Sequence, residues 1–385
     1  IDGSDYDHNV AESINHSRWL QIKRTYKLCN NDVSPRRGEH GYNPAYKYDM
    51  LYDSLIHNIN HMTEFAESDQ CGDETTWPHG GFGEAGSGLM GRIMGKPGVT
   101  KGGQIVVISD VHRMRPRAYI HRHKLHTKPT GWTAAGPLEV KMMMEKILPM
   151  VQGEDNPDNL KQIFRVRPRT TWDNYFSGCK ILNWLGERAF GATMTCRCDR
   201  LPSAVPAQYL HKKKTGTCFR SKAARFQKPV VLVKQIEEDG EKMAFERVHT
   251  SFQSTSSCNI SMVNAINSCS MFICRKERGT GDNKRCWGIE MNDARTMYLR
   301  SYFRIDCMDH MIKNARTFYR SWKYWHSPML HGKALGLVVA YKMYLEVAEG
   351  ELKPEWKLEE PLDFWRFREQ LAKQMLAYKP NNRSY

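Results

Sequence analysis

Four aspartates stand out by position. Asp73, Asp173 and Asp306 lie in three separate segments, and Asp309 follows Asp306 by three residues, which places the last two on one face of a helix. Hard divalent cations take carboxylate oxygens as ligands. Two such ions activate a water or a 3′-hydroxyl and stabilise the leaving oxygen of an in-line phosphoryl transfer. Convergence of the three segments would build that centre. The chain has 42 acidic residues, however, and Asp and Glu are mostly solvated, so spacing alone leaves a metal centre and scattered surface carboxylates as open alternatives.

Other groupings carry less chemistry. Gly81-Phe-Gly83-Glu-Ala-Gly86 fits G-x-G-x-x-G, but a dinucleotide site needs a strand before it, and here the apolar strand comes after, so a loop is expected. His121, His123 and His126 have no Cys or carboxylate at ligand spacing and read as a solvated basic strand. Cys196-x-Cys198 and Cys269-x4-Cys274 lack the doubled C-x2-C of a zinc site, and no structural zinc is expected. Two basic tracts are candidates for phosphate contact. Lys212, Lys213, Lys214, Arg220, Lys222 and Arg225 lie beside Phe219 and Phe226. Arg316, Arg320 and Lys323 interleave with aromatics, where base stacking competes with core packing of Phe318, Trp322 and Trp325.

The elements that must position these residues follow from periodicity. Helical spacing runs through 11–65, with a loop between Leu28 and Met50. From Asp73 the chain enters an α/β core. Gln104–Asp110 is a buried strand, Arg115–His123 a basic one, Pro137 opens a Met-rich helix to about Leu148, and a strand falls near Gln162–Arg167. A helix over Gly178–Arg188 and a strand over Ala192–Arg197 follow, making strand, strand, strand, helix, strand, helix, strand with mixed pairing. Pro229–Ile236 and Lys242–Thr250, joined by Asp239-Gly240, read as a hairpin within a β-rich stretch, 203–292. Helices return from Asp306 to Tyr344 and over Pro361–Tyr378, with Phe364, Phe367, Leu371 and Met375 on one face.

Composition sets the outer bounds. At 385 residues the chain exceeds one ordinary domain. Lys plus Arg minus Asp plus Glu is 57 − 42 = +15, which fits a polyanionic partner, nucleic acid or an anionic membrane surface. The apolar run around Ala334–Ala340 is far short of the roughly 20 residues a spanning helix needs. Eleven cysteines, an odd number scattered over the chain, point to free thiols in a reducing compartment, nucleus or cytosol. The start at Ile1, with no Met and no basic-then-apolar leader, is expected of a fragment.

The ordered strings resemble the piggyBac family of transposases over nearly the whole chain. Cys71-Gly-Asp-Glu-Thr-Thr-Trp77 stands where the family has its D-E dipeptide, and Met94-Gly-Lys-Pro97 stands where it has K-P before a strand. Trp172-Asp-Asn-Tyr-Phe-Ser177 resembles C-D-N-W-F-T-S, the most specific match. Ala192-Thr193 through Arg200-Leu-Pro202 resembles G-T-x-R ending in L-P, and Tyr298–Asp309 resembles Y-N-x-x-K-G-G-V-D-x-L-D. Arg320–Trp325, Pro328–Gly332 and Phe364–Met375 look like the family's closing helices.

The resemblance implies an RNase H-like catalytic core, a mixed sheet with flanking helices, divided by the β-rich insertion. A partial helical dimerisation and DNA-binding region would span 1–65, the core 66–202 and 293–345, the insertion 203–292 and a helical tail 346–385. It implies Asp73, Asp173 and Asp306 as the catalytic triad with Asp309 beside them, holding two Mg²⁺ or Mn²⁺ ions. It further implies a nuclear homodimer acting on double-stranded DNA, at transposon ends and TTAA targets, by metal-dependent cleavage and strand transfer. The basic tract at 212–228 and the basic strand at 113–124 would flank the acidic centre. Tyr302-Phe-Arg304 replaces the family's Lys-Gly-Gly, which motivates the alternative of a domesticated or decayed relative that binds DNA without cutting.

Overall fold

The computed structural model describes residues 17–18, 21, 29–33, 35–36, 39–62, 69–79, 90–93, 101–122, 132, 134–152, 169–188, 190–197, 211–212, 218–219, 230–232, 235–238, 241–244, 248–252, 259–264, 271–278, 285–315, 323, 325–350 and 354–377, with backbone alone at 90–92, 148–152, 179, 196–197 and within 211–296. Its first helix, α1, is Tyr46–Met62. Strands β1 (Asp69–Pro78), β2 (Met90–Arg92), β3 (Lys101–Asp110) and β4 (Pro116–His121) follow. Then come α2 (Ala135–Gln152), β5 (Arg169–Trp172), α3 (Cys179–Glu187) and β6 (Gly191–Arg197).

β1 lies at the centre of the sheet. It pairs antiparallel with β3 on one side and parallel with β5 on the other, β4 adds to β3 antiparallel, and β6 adds to β5 parallel. This mixed five-stranded unit is sandwiched between two helical layers. Gly72, Val106, Ile108, Trp172 and Met194 face α2 and α3, whereas Cys71, Trp77, Ile105 and Val107 face α1 and two later helices, α5 (Arg304–Ala315) and α6 (His326–Ala348). β3 forms because Ile105-Val-Val-Ile108 is β-branched and buried on both faces, as sandwiched strands are.

β1 has only Cys71 and Trp77 as large apolar residues, and its Gln, Thr and acidic side chains mask its strand character in the sequence. Its burial is eased because several of its polar groups are paired. Gln70 Nε2 donates to Asp110 at 2.6 Å, and Asp110 forms a buried ion pair with Arg117 at 2.6 Å. Asn60 of α1 donates to the Arg117 carbonyl.

That pairing corrects the expectation of a solvated, DNA-facing basic strand at 113–124. Arg115 and Arg117 are buried, Arg115 pairing with Glu346 of α6, and half-buried His121 lies against Asp49 at 2.8 Å. His123 and His126 lie outside the described residues.

Elsewhere β3, α3 and β6 agree with the sequence reading, and β10 (Gln235–Glu238) pairs antiparallel with β11 (Glu241–Ala244), as expected of the hairpin, with Glu238 opposite Glu241. α2 starts two residues before Pro137, which its first turn tolerates because those N–H groups have no helical partner. The strand expected near 162–167 falls outside the described residues, and β5 at 169–172 takes the place beside β1. Most of the helix expected near 11–28 and the glycine motif at 81–86 are also outside.

The segment 203–292 is strand-rich: β7 (His211–Lys212), β8 (Cys218–Phe219), β9 (Val230–Leu232), β12 (Val248–Phe252), β13 (Asn259–Asn264), β14 (Met271–Arg278) and β15 (Arg285–Asn292) accompany the hairpin. β13 pairs antiparallel with β6, and β12 and β9 follow outward, so this segment continues the sheet edge to edge.

After β15 come α4 (Asp293–Ser301), α5, α6 and α7 (Phe364–Ala377). Gly332 and Gly336 let α6 approach Leu51 and Leu55 of α1. Phe364 and Phe367 pack on Tyr341 of α6, while Met375, expected on the same apolar face, is exposed because that face outruns α6's cover. No helix among the described residues is long and apolar enough to cross a membrane.

One contact sets how β1 and β5 seat together. Gly72 and Trp172 are paired across the parallel ladder, and a Cβ on Gly72 would overlap the Trp172 ring. Gly72→Ala should therefore destabilise the chain by about 1–3 kcal/mol through overpacking. Urea denaturation should show the loss, and Trp172→Leu in the same chain should recover part of it.

Candidate functional site

The register that pairs Gly72 with Trp172 puts Asp73 one residue further along β1 and Asp173 one residue past the end of its parallel neighbour β5. Neighbouring strands lie about 4.8 Å apart. Asp73 is mid-strand, half-buried, with one carboxylate oxygen accepting the Glu74 N–H at 2.8 Å. Asp173 sits where β5 ends, and its Oδ1 accepts the Tyr175 N–H at 2.7 Å, which turns the chain toward α3.

The alternation of β1 sends Asp73 toward α5 and α6 and Glu74 to the opposite face. There Arg122 forms a two-pronged contact with Glu139 at 2.9 Å, lies 3.8 Å from Glu74 and stacks over Tyr175 at 4.5 Å. Burial pushes the Asp173 carboxyl above its ordinary value, and Glu74's negative charge adds to the push, against the backbone N–H groups it accepts and Arg122. Tyr298 of α4 feels both aspartates: burial, with the charges of Asp173 and Asp73 behind it, pushes its hydroxyl up to about 12. Asp73, Asp173 and the half-buried Tyr298 therefore share one electronegative corner.

The two α5 aspartates part company. Asp306 is exposed in the first turn of α5, and Asp309 is buried one turn on. Asp309 accepts a hydrogen bond from the Thr75 hydroxyl, two residues beyond Asp73 on the same face of β1. With its hydrogen committed there, Thr75 Oγ1 accepts from Nε2–H of His331 at 2.9 Å, leaving the ring's Nδ1 facing the Tyr52 hydroxyl at 2.8 Å. The single Tyr52 hydrogen is shared with the Pro328 carbonyl. A buried chain, Asp309–Thr75–His331–Tyr52, thus ties α5, β1, α6 and α1 together.

The structure therefore brings Asp73 and Asp173 side by side and joins Asp309 to β1 through Thr75. Among the described residues, no three His, Cys, Asp or Glu are grouped to hold a metal ion. Lys213, Lys214, Arg220, Lys222, Arg225, Arg316 and Arg320 lie outside the described residues, and Lys212 is described by its backbone in β7. Lys323 is exposed, its ammonium 5.5 Å from the Trp325 ring, and Trp325 is buried, as core packing of that segment requires. Sequence reasoning missed Glu74, Thr75, Arg122, Tyr298 and His331. Only the D-E dipeptide and the period-2 pattern of β1 could have pointed to the first two.

No family model and no curated protein sequence matches the chain. Among solved structures, a piggyBac transposase synaptic complex with hairpin DNA, determined by cryo-electron microscopy, superposes with a TM-score of 0.59 over 95% of this chain at 11% identity. The chain has a piggyBac transposase-like fold. It spans 65% of that transposase chain, and at this identity the likeness is one of fold.

The site makes two measurable demands of opposite sign. Folded Asp173 keeps its proton to higher pH than the unfolded chain does, so stability falls as pH rises from the ordinary carboxylate range through the raised value, and the deficit persists at neutral pH. Asp173→Asn should raise the Tm at pH 7 and flatten that acid-range slope. Thr75→Val should cost about 2–3 kcal/mol in urea denaturation, because it strips Asp309 and His331 of a buried partner, and Thr75→Ser should restore most of it.

Proposed function

We propose that the chain handles double-stranded DNA in the manner of a piggyBac transposase, with an RNase H-like centre built on Asp73, Asp173 and Asp306 that cuts and rejoins strands at TTAA sequences. The observation that carries this reading is the placement of Asp73 on β1 and of Asp173 just past the end of its parallel neighbour β5, in a piggyBac transposase-like fold.

The donor set suits a hard cation, because it offers carboxylate oxygens. Mg²⁺ or Mn²⁺, when bound, supplies the positive charge that polarises the phosphodiester and stabilises the leaving oxygen. The chain's own residues do the rest. Asp73 is fixed by β1, Asp173 by its turn at the end of β5, and Asp306 stands as third ligand at the solvent-facing start of α5. Asp309 acts as a positioning residue, since its bond to Thr75 fixes how far along β1 the helix carrying Asp306 sits. Arg122 is neutralised by Glu139 and Glu74, so it shapes the corner without holding a phosphate. A homodimer would present one such centre to each of two DNA ends.

A second reading, a DNA-binding protein without catalysis, is favoured by the exposed Asp306 and the absence of a three-residue metal group among the described residues. Both readings require salt-sensitive DNA binding. The first alone requires a Mg²⁺- or Mn²⁺-dependent nick in TTAA-containing DNA, reduced at least a hundredfold by Asp173→Asn. Gel analysis of end-labelled DNA decides: cutting that persists in the variant removes the catalytic assignment, and binding with no metal-dependent product leaves the second reading.

A further inference from the structure

The last turn of α4 and the start of α5 carry an aromatic step that the catalytic reading does not use. Tyr298 and Tyr302 are four residues apart on one helix face, and their rings stack with centroids 5.3 Å apart and planes 6° from parallel. Tyr302 is 47% exposed, an unusual setting for a ring of that size. Phe303 sets its edge against Tyr302 at 5.6 Å, and the Arg304 guanidinium lies 4.9 Å over the Phe303 ring.

The step has a direction. Its inner ring, Tyr298, lies in the field of Asp173 and Asp73, and its outer ring meets solvent. Cations lie at the outer end: Arg300 is exposed in the last turn of α4, Arg304 is half-buried, and Lys342 of α6, whose ammonium burial lowers, feels Glu349 against that shift and Arg304 with it, while Asp306 is exposed close by. The aromatic faces and the cations thus sit together beside the acidic corner.

Resting on the DNA-handling reading above, we propose that Tyr302, backed by Tyr298 and flanked by Phe303 and Arg304, stacks an unpaired base of a DNA strand whose backbone passes the Asp73–Asp173 corner. Every base has a π-face, so such a platform takes a base of any identity, and the cations match the phosphates on either side of it. A fully paired duplex offers no free base to Tyr302. The surface therefore selects frayed, nicked or overhanging DNA, the form a strand takes at the point of cutting.

Fluorescence anisotropy with the full chain at low salt tests this on two DNAs, a blunt duplex and the same duplex with a four-nucleotide single-stranded overhang. The overhang should tighten binding. Tyr302→Ala should abolish that gain, roughly tenfold for one lost stack, without changing blunt-duplex affinity, and Tyr302→Phe should keep it. A 2-aminopurine in the overhang should be quenched on binding to the unaltered chain, a readout that needs no variant. Equal affinity for the two DNAs, an unquenched probe, or a Tyr302→Ala loss shared by both DNAs overturns the stacking site and leaves the DNA-handling reading intact. Failure to bind either DNA overturns both.

Discussion

A buried polar group costs several kcal/mol unless it finds a partner, and the central strand of this protein is made largely of polar residues. β1 must be central, because both Asp73 and its neighbour Asp173 depend on it, yet Gln70, Glu74, Thr75 and Thr76 give it little apolar surface to drive burial. The surrounding elements are arranged to answer that demand. Asp110, itself paired with Arg117, accepts from Gln70; Arg122, itself paired with Glu139, faces Glu74; and Asp309 with His331 takes up Thr75 from two helices. The third dimension of the fold, the helix layer over β1, is fixed as much by these bonds as by apolar packing.

The same demand takes up part of the chain's visible charge without changing its balance. Arg115, Arg117 and Arg122 are held against Glu346, Asp110 and Glu139 inside the fold, and because each pair is neutral the +15 surplus rests on other residues. Arg300, Arg304 and Lys323 lie on the C-terminal half of the chain, on or beside the helices that cover the Asp73 face.

How much of this the sequence revealed depended on what each residue's role left in the pattern. β3 was legible because Ile105–Ile108 can be little else, and the 235–244 hairpin because Asp239-Gly240 prefers a two-residue turn. The order Asp73, Asp173, Asp306 was legible through resemblance, and the adjacency of the first two follows once β1 and β5 are paired. β1 itself was obscure, since its burial rests on partners 40 to 256 residues away. The burial of Asp309 was hidden for a related reason: three-residue spacing from Asp306 does not say which of the two faces inward and finds Thr75. The arginines of β4 read as surface because an ion pair with Asp110 or Glu346 leaves no mark on local periodicity.

The β6–β13 pairing has a consequence in the order of synthesis. Strands β1 to β6 leave the ribosome as a sheet whose outer edge at β6 is bare until residues 259–264 arrive, and whose Asp73 face is bare until α5 and α6 follow. During that interval Thr75 has neither Asp309 nor His331, and an open strand edge is a template for pairing with other chains. The nascent first half is thus an unfinished, adhesive sheet, and completion of the second half ends its polar deficit and covers the β6 edge with β13.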